Sequence, residues 1–470
     1  MAAGTSRVHA FADDALGDHD AVGLADLVRR RRVSIPEVVE AAVARAEKVD
    51  GELNAVVHRA WDRARAEARE PRGGFFSGVP TFLKDNVDVA GMPTRQGTDA
   101  YDGRVAREDG ELARQYLATG LLPLGKTQMS EFGLNASAEH SRLGPVRCPW
   151  DLRRTAGASS AGSAAMVAAG VVPLAHANDG GGSIRIPASV NGLVGLKPTR
   201  GRLAQDPLLR EMPVRIVSDG VLTRSVRDTA AFYREAERVW RNLALPPVGD
   251  LTRPGKARLD VAVVTEGIGR SASPEVAELT RKTAALLEEL GHRVHPVPQP
   301  APARFADDFL LYWSMLALFT VRTGARAFGP SWDPTQLDNL THGLARHSAR
   351  RLHKLPSAIV RLRRTTRWSR DFFRRYDVLL TPTLAAPTPT IGHLAPTRDY
   401  DDLMERLLDW VAFTPLQNAT GDPSLSLPLA MTAEGLPQGM MLSAGWGREA
   451  TLIELAYELE EAAPWPRIDG

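Results

Sequence analysis

The residues best equipped for chemistry sit in a stretch with almost no side chains. ANDGGGSIRIP, residues 177–187, runs Gly180, Gly181 and Gly182 directly into Ser183. A glycine surrenders more backbone freedom on folding than any other residue and adds nothing to a core, so three in a row need a reason. One is a tight turn before a strand. The other is a nest of N–H groups that a ligand atom approaches closely. Beside a serine hydroxyl such a nest supplies what acyl transfer needs, a nucleophile and donors for an oxyanion.

A serine nucleophile needs a base within hydrogen-bond reach, usually histidine. His176 sits in PLAHAND, and His292, His295, His342, His347, His353 and His393 fall in segments that read as helix ends or loops. Ser183 also lacks the following x-Gly of a nucleophile elbow. Lysine is the alternative, because a buried lysine can lose its proton and an arginine cannot. The chain holds only seven lysines. Lys84, in GVPTFLKDNVDVAG, ends an apolar run that reads as an inner strand, where desolvation lowers an amine pKa. The plainer reading is a strand-end lysine paired with Asp85 or Asp88. TAGASSAGSAAMVAAG then places Ser159, Ser160 and Ser163 ahead of an Ala-rich helix. Packing at a helix N-terminus accounts for Ser163. The paired serines either turn the chain or relay a proton between Lys84 and Ser183.

The elements that must position these residues are legible in outline. Residues 20–50 read as two helices, the second opened by Ser34 with Pro36 and Glu37 in its first turn. Val38, Val39, Ala42, Val43 and Ala46 give it one apolar face, and the arginines at 29–32 end the first helix. Residues 73–203 alternate short apolar runs with Gly/Pro turns and small-residue helices, an α/β pattern. Residues 241–259 read as a connector. The strand VAVVTEG, a helix capped by Ser273 and stopped by Gly291, and the strand RVHPV form a βαβ-like unit. Residues 301–375 read as mostly helical, with Arg350, Arg351, Arg361, Arg363, Arg364 and Arg367 on a solvated or ion-paired face. Strands return at YDVLLTPT.

With 470 residues, 43% hydrophobic and 24% charged, the composition is that of an ordinary folded protein. A net charge of +2 demands neither nucleic acid nor an anionic membrane as partner, and the longest weakly polar stretch is too short to span a bilayer. Cys148 is the single cysteine, so no internal disulfide or cysteine zinc site is expected, and its place before a proline in RCPW reads as a turn. The acidic N-terminal stretch lacks a signal-peptide pattern. A cytoplasmic enzyme is the expectation.

The ordered run TAGASSAGSAAMVAAGVVPLAHANDGGGSIRIPASVNGLVGLKPTRGRL resembles the signature region of the amidase signature family. The resemblance continues through GVPTFLKDNVDVAGMPT, LGKTQMSEFGLNAS, GPVRCPWD, YDVLLTPT and FTPLQNATGDPSLSLPL, and so covers most of residues 20–465. It implies one α/β domain over 1–470, a large mixed β-sheet surrounded by helices, with the signature core at 73–235 and the variable helical region at 301–375. It further implies amide hydrolysis without metal or organic cofactor. Lys84 is then the base, Ser159 the bridging serine in a cis peptide and Ser183 the nucleophile. The N–H groups of Gly180, Gly181, Gly182 and Ser183 form the oxyanion hole. Gly133, Asn135 and Asn191 are placed near the acyl site as substrate-binding residues. The sequence departs from the family's usual residues at Ala158, Ala161, Asn178 and Asn191. HANDGGGSIRIPAS is similar to the branch that includes 6-aminohexanoate cyclic dimer hydrolase. The substrate expected is a small-molecule amide, with a homodimer left open. The alternatives are a glutaminyl-tRNA amidotransferase A-type subunit acting with partners, or a non-catalytic scaffold of the same fold. A scaffold has no need of Lys84, Ser159 and Ser183 together.

Overall fold

Ser34 opens a helix as its neighbours require. Its Oγ accepts from the Glu37 N–H at 3.3 Å, and the Glu37 carboxylate accepts from the Ser34 N–H at 2.8 Å, a reciprocal cap. The cap separates α1 (Ala21–Arg29) from α2 (Ile35–Leu53), and α2 buries Val38, Val39, Ala42, Val43 and Ala46. The computed structural model describes residues 7–469. Residues 1–6, where the acidic N-terminal stretch begins, and residue 470 lie outside the described residues.

Two sheets carry the site. The smaller has the order β1-β3-β2, with β1 (Val56–Arg59) antiparallel and β2 (Pro80–Lys84) parallel to β3 (Leu122–Thr127). All five residues of β2 are buried, which explains its continuous apolar run. Then follow α3 (Ala161–Ala168), β4 (Leu174–Asp179), α4 (Arg185–Asn191), β5 (Val194–Lys197) and β6 (Ser218–Thr223). After the 241–259 connector come β7 (Asp260–Val263), α5 (Pro274–Glu289) and β8 (Arg293–Pro296). Ser273 caps α5 and β7 runs parallel to β8, the expected βαβ unit.

Residues 301–375 are helical as expected, forming α6 (Phe305–Phe328), α7 (Asn339–Arg351) and α8 (Leu355–Phe372). On them Arg361 pairs with Asp308, Arg363 donates to the Pro213 carbonyl and Arg351 to the His347 carbonyl. Arg350, Arg364 and Arg367 stand exposed. The chain closes with β9 (Val378–Pro382), β10 (Ser424–Met431) and β11 (Pro437–Ala444). Among the described residues the large sheet has eight strands in the order β4-β6-β5-β10-β11-β9-β7-β8. It is antiparallel from β4 to β9 and parallel from β9 to β8.

The small sheet meets the edge strand β4 of the large one. Thr81 Oγ1 donates to the Leu174 carbonyl at 3.0 Å, and the Lys84 N–H donates to His176 Nδ1 at 3.4 Å. This seam holds the end of β2 against the end of β4, bringing Lys84 beside Asn178.

Candidate active site

Lys84 is fully buried at the end of β2. Its Nζ lies 2.6 Å from Ser159 Oγ and donates to Asn178 Oδ1 at 2.7 Å. Burial pulls the amine down to about 7, against the pull of the Asp219 and Asp179 carboxylates, which push it up. The arrangement suits a neutral amine: an N–H goes to Asn178, and the lone pair is left for the Ser159 hydroxyl. Neither Asp85 nor Asp88 takes Lys84. Asp85 lies 4.0 Å from Lys126, and Asp88 pairs with Arg104. Ser159 follows a cis peptide after Ala158, as the family resemblance implied, in the loop that enters α3.

Ser183 stands between β4 and α4. Asp179, at the end of β4, organises the intervening loop. Its carboxylate accepts from the N–H of Gly182 at 2.7 Å and of Ile184 at 3.1 Å. The Arg185 guanidinium grips the same carboxylate in a two-point fork, Nε to Oδ2 and Nη2 to Oδ1, both at 2.9 Å. Asn418 adds its Nδ2 at 2.8 Å and receives Arg185 Nη2 on its Oδ1 at 2.7 Å. Burial alone would raise the Asp179 carboxyl, but the Arg185 cation overrides it and holds the group well below the usual carboxylate range. Gly182 adopts φ +136°, and a Cβ there would lie 2.5 Å from Thr414 Oγ1, so this position admits only glycine.

Glycine N–H groups must be unoccupied to receive an oxyanion. Among the described residues no hydrogen bond uses the N–H of Gly180, Gly181 or Ser183, whereas Gly182 has given its N–H to Asp179. Of the four donors expected, the Gly182 N–H is thus already spent on the carboxylate that shapes the loop, and those of Gly180, Gly181 and Ser183 are left. The Ser183 hydroxyl also makes no hydrogen bond among the described residues, and it lines a cavity of about 1340 Å³ together with Ser159, Gly180 and Gly181.

A family model described as Amidase matches residues 37–453. The chain is 64% identical to the "Putative amidase AmiC" of Mycobacterium leprae, over 98% of this chain and 99% of that one. It is 33% identical to a 6-aminohexanoate-cyclic-dimer hydrolase of a Pseudomonas species, over 95% of each. The solved structure of a 6-aminohexanoate cyclic dimer hydrolase with substrate superposes with a TM-score of 0.85 at 31% identity, covering 96% of this chain and 98% of that one. The chain belongs to the amidase family. It is an enzyme of the class that acts on C–N amide bonds, and its fold is that of the amidase-signature enzymes.

Within this amidase the remaining expected residues divide. Gly133 lines the cavity, and a Cβ on it would come 3.2 Å from Ser159 Oγ. Asn135 lines it too, but both ends of its amide are engaged with backbone: Nδ2 donates to the Leu394 carbonyl and Oδ1 accepts from the Ala136 N–H. Asn191 does not line the cavity. It ends α4 six residues beyond Arg185, and its Nδ2 donates to the carbonyls of Ala156 and Pro187, each at 2.8 Å. The substrate-binding expectation for Asn191 is thus corrected to a brace between α4 and the loop that carries Ser159. Ser163 donates to the His176 carbonyl at 2.7 Å and is structural. Cys148 is buried, its thiol pushed up to about 12.

Sequence reasoning missed Asp179, Arg185, Asn418 and the pair His176–Asp219. His176 Nε2 lies 3.3 Å from Asp219 Oδ1, and Asp219 faces Asn178 across β4 and β6. Burial lowers the His176 pKa, so the ring is a neutral spacer beside Lys84. A signal existed only for the first pair: an aspartate and an arginine flank GGGSI within one turn and a loop. Asn418 and Asp219 come from distant segments and left none.

Proposed function

We propose that this amidase hydrolyses a small-molecule carboxamide, or a linear or cyclic oligoamide, through an acyl-enzyme on Ser183. The observation that carries the proposal is the buried Lys84 amine, held near neutrality and 2.6 Å from Ser159 Oγ, on a cavity that both serines line. Lys84 accepts the Ser159 proton while Ser159 accepts that of Ser183, and Ser183 Oγ attacks the amide carbon. The N–H groups of Gly180, Gly181 and Ser183 receive the oxyanion. Collapse expels the amine, which takes its proton back along the same path, and water repeats the cycle on the ester. The similar hydrolase of cyclic 6-aminohexanoate dimer supports including neutral oligoamides among the candidates. A cytoplasmic setting belongs to the same reading.

The test is a screen over primary amides, anilides, short peptide amides and cyclic oligoamides. Ser183→Ala and Lys84→Ala should each lower turnover by several powers of ten, as losses within one catalytic unit do. Near-native turnover by either folded variant would refute the assignment.

A further inference from the structure

The wall of the cavity beside Ser159 is built from rings. Tyr101 stacks on Phe328 at 4.6 Å between centroids, Phe328 stacks on Trp332 at 5.2 Å, and Phe132 lies 5.6 Å from Phe328. Tyr101, Phe132 and Phe328 line the cavity, with Trp332 packed behind Phe328. Phe132 directly precedes Gly133, where an added Cβ would lie 3.2 Å from Ser159 Oγ, so this wall adjoins the reacting end of the cavity.

The backbone is held in an unfavourable conformation to keep that ring in place. Phe132 has φ +47° and ψ +19°, a region that bulky residues avoid. A non-glycine residue there persists only where its surroundings fix it, and such outliers cluster at ligand sites. Here the Phe132 N–H donates to the Gln96 carbonyl at 2.8 Å. The buried Glu131 carboxylate ties the preceding residue to Thr98, Thr341 and the Asp338 N–H. The wall offers little polarity: the Tyr101 hydroxyl donates to the Thr94 carbonyl at 2.9 Å, and Asp88 and Arg104 at the rim neutralise each other at 2.5 Å.

We propose that the Tyr101–Phe132–Phe328 wall is a subsite for an aromatic ring carried on the scissile amide, making the preferred substrate an uncharged aryl amide. The proposal rests on the Ser183 reading only for which bond is cut. A planar, quadrupolar group extends the ring array by offset or edge contacts that an aliphatic group of similar size does not make. The ring belongs either to the acyl part or to the leaving amine, and the experiment separates the two.

Binding is measured by calorimetry on Ser183→Ala protein, which turns nothing over in the proposed mechanism. One arm compares 3-phenylpropionamide with 3-cyclohexylpropionamide, the other propionanilide with N-cyclohexylpropionamide. In one arm the phenyl ligand should bind about 2- to 10-fold tighter. Adding Phe328→Leu should bring that ratio close to one, and Phe132→Leu should act likewise. Trp313→Leu, at a lining residue outside the ring cluster, should leave it unchanged. Ratios near one in both arms, no measurable binding at millimolar ligand, or a ratio abolished by Trp313→Leu but surviving Phe328→Leu would overturn the proposal. If Ser183→Ala retains turnover, the hydrolytic assignment fails, while the binding ratios still decide the aromatic subsite.

Discussion

A lysine can serve as a base only while it is neutral, and every contact of Lys84 bears on that condition. Desolvation brings it to about 7, while Asp219 and Asp179 oppose the shift. kcat/KM should therefore rise from acid toward alkaline pH with a midpoint near 7, as the ammonium loses its proton. The sign of a second effect follows. A neighbouring carboxylate stabilises the ammonium and raises the amine pKa, so Asp219→Asn should move the rise to lower pH. A pH–rate profile that does not move, or that moves to higher pH, would show that Asp219 does not act on Lys84. Cys148 gives a contrasting expectation. Buried, with its thiol pushed up to about 12, it is protonated and shielded, and native enzyme treated with iodoacetamide should keep its full rate. At this scale Lys84, Ser159 and Ser183 could be singled out as candidates, because residue type and an ordered family resemblance named them. Asp219 was not, because its role depends on strand register, which pairs it with Asn178 from 41 positions away.

The element that matters most is the turn from β4 into α4. Its shape comes from one buried ion pair, Asp179 with Arg185, both without solvent exposure. Breaking such a pair leaves an uncompensated buried charge and costs about 3–5 kcal/mol. Asp179→Ala should show that loss in chemical denaturation and should also cut kcat, since the same carboxylate fixes the N–H groups around Ser183. A variant that unfolds at the native denaturant midpoint would contradict this. The glycines were readable as bare backbone awaiting an oxyanion, but which N–H groups remain free was not, because the sequence does not say that Asp179 takes the one on Gly182. Asn191 shows the same limit. The family resemblance placed it near the acyl site, whereas it stands at the far end of α4 from Arg185 and braces the Ser159 loop. Helices with caps and clear periodicity, such as α2 and α5, were readable in detail because their signals are local.

On the scale of the whole molecule, the proposed proton path depends on a seam between two sheets. Lys84 arrives from the small sheet, Asn178 and Ser183 from the edge of the large one, and Ser159 from the loop into α3. Sheet class and the βαβ unit could be anticipated from alternating patterns, but strand order could not, since β10 and β11 enter the middle of the sheet from the far end of the chain. The cavity wall likewise joins Phe132 to Phe328 across almost two hundred residues, beyond any local pattern. Since the three groups proposed as catalytic reach the site from separate elements yet would serve one proton path, their losses should not add: Lys84→Ala with Ser183→Ala should be scarcely slower than either alone. The central claim is that Ser183 forms the covalent intermediate. Peptide mapping by mass spectrometry after reaction with a fluorophosphonate tests it most directly. The account predicts a single adduct on Ser183, formed far more slowly in Lys84→Ala; an adduct on Ser159 or Cys148 in the folded native enzyme would contradict it.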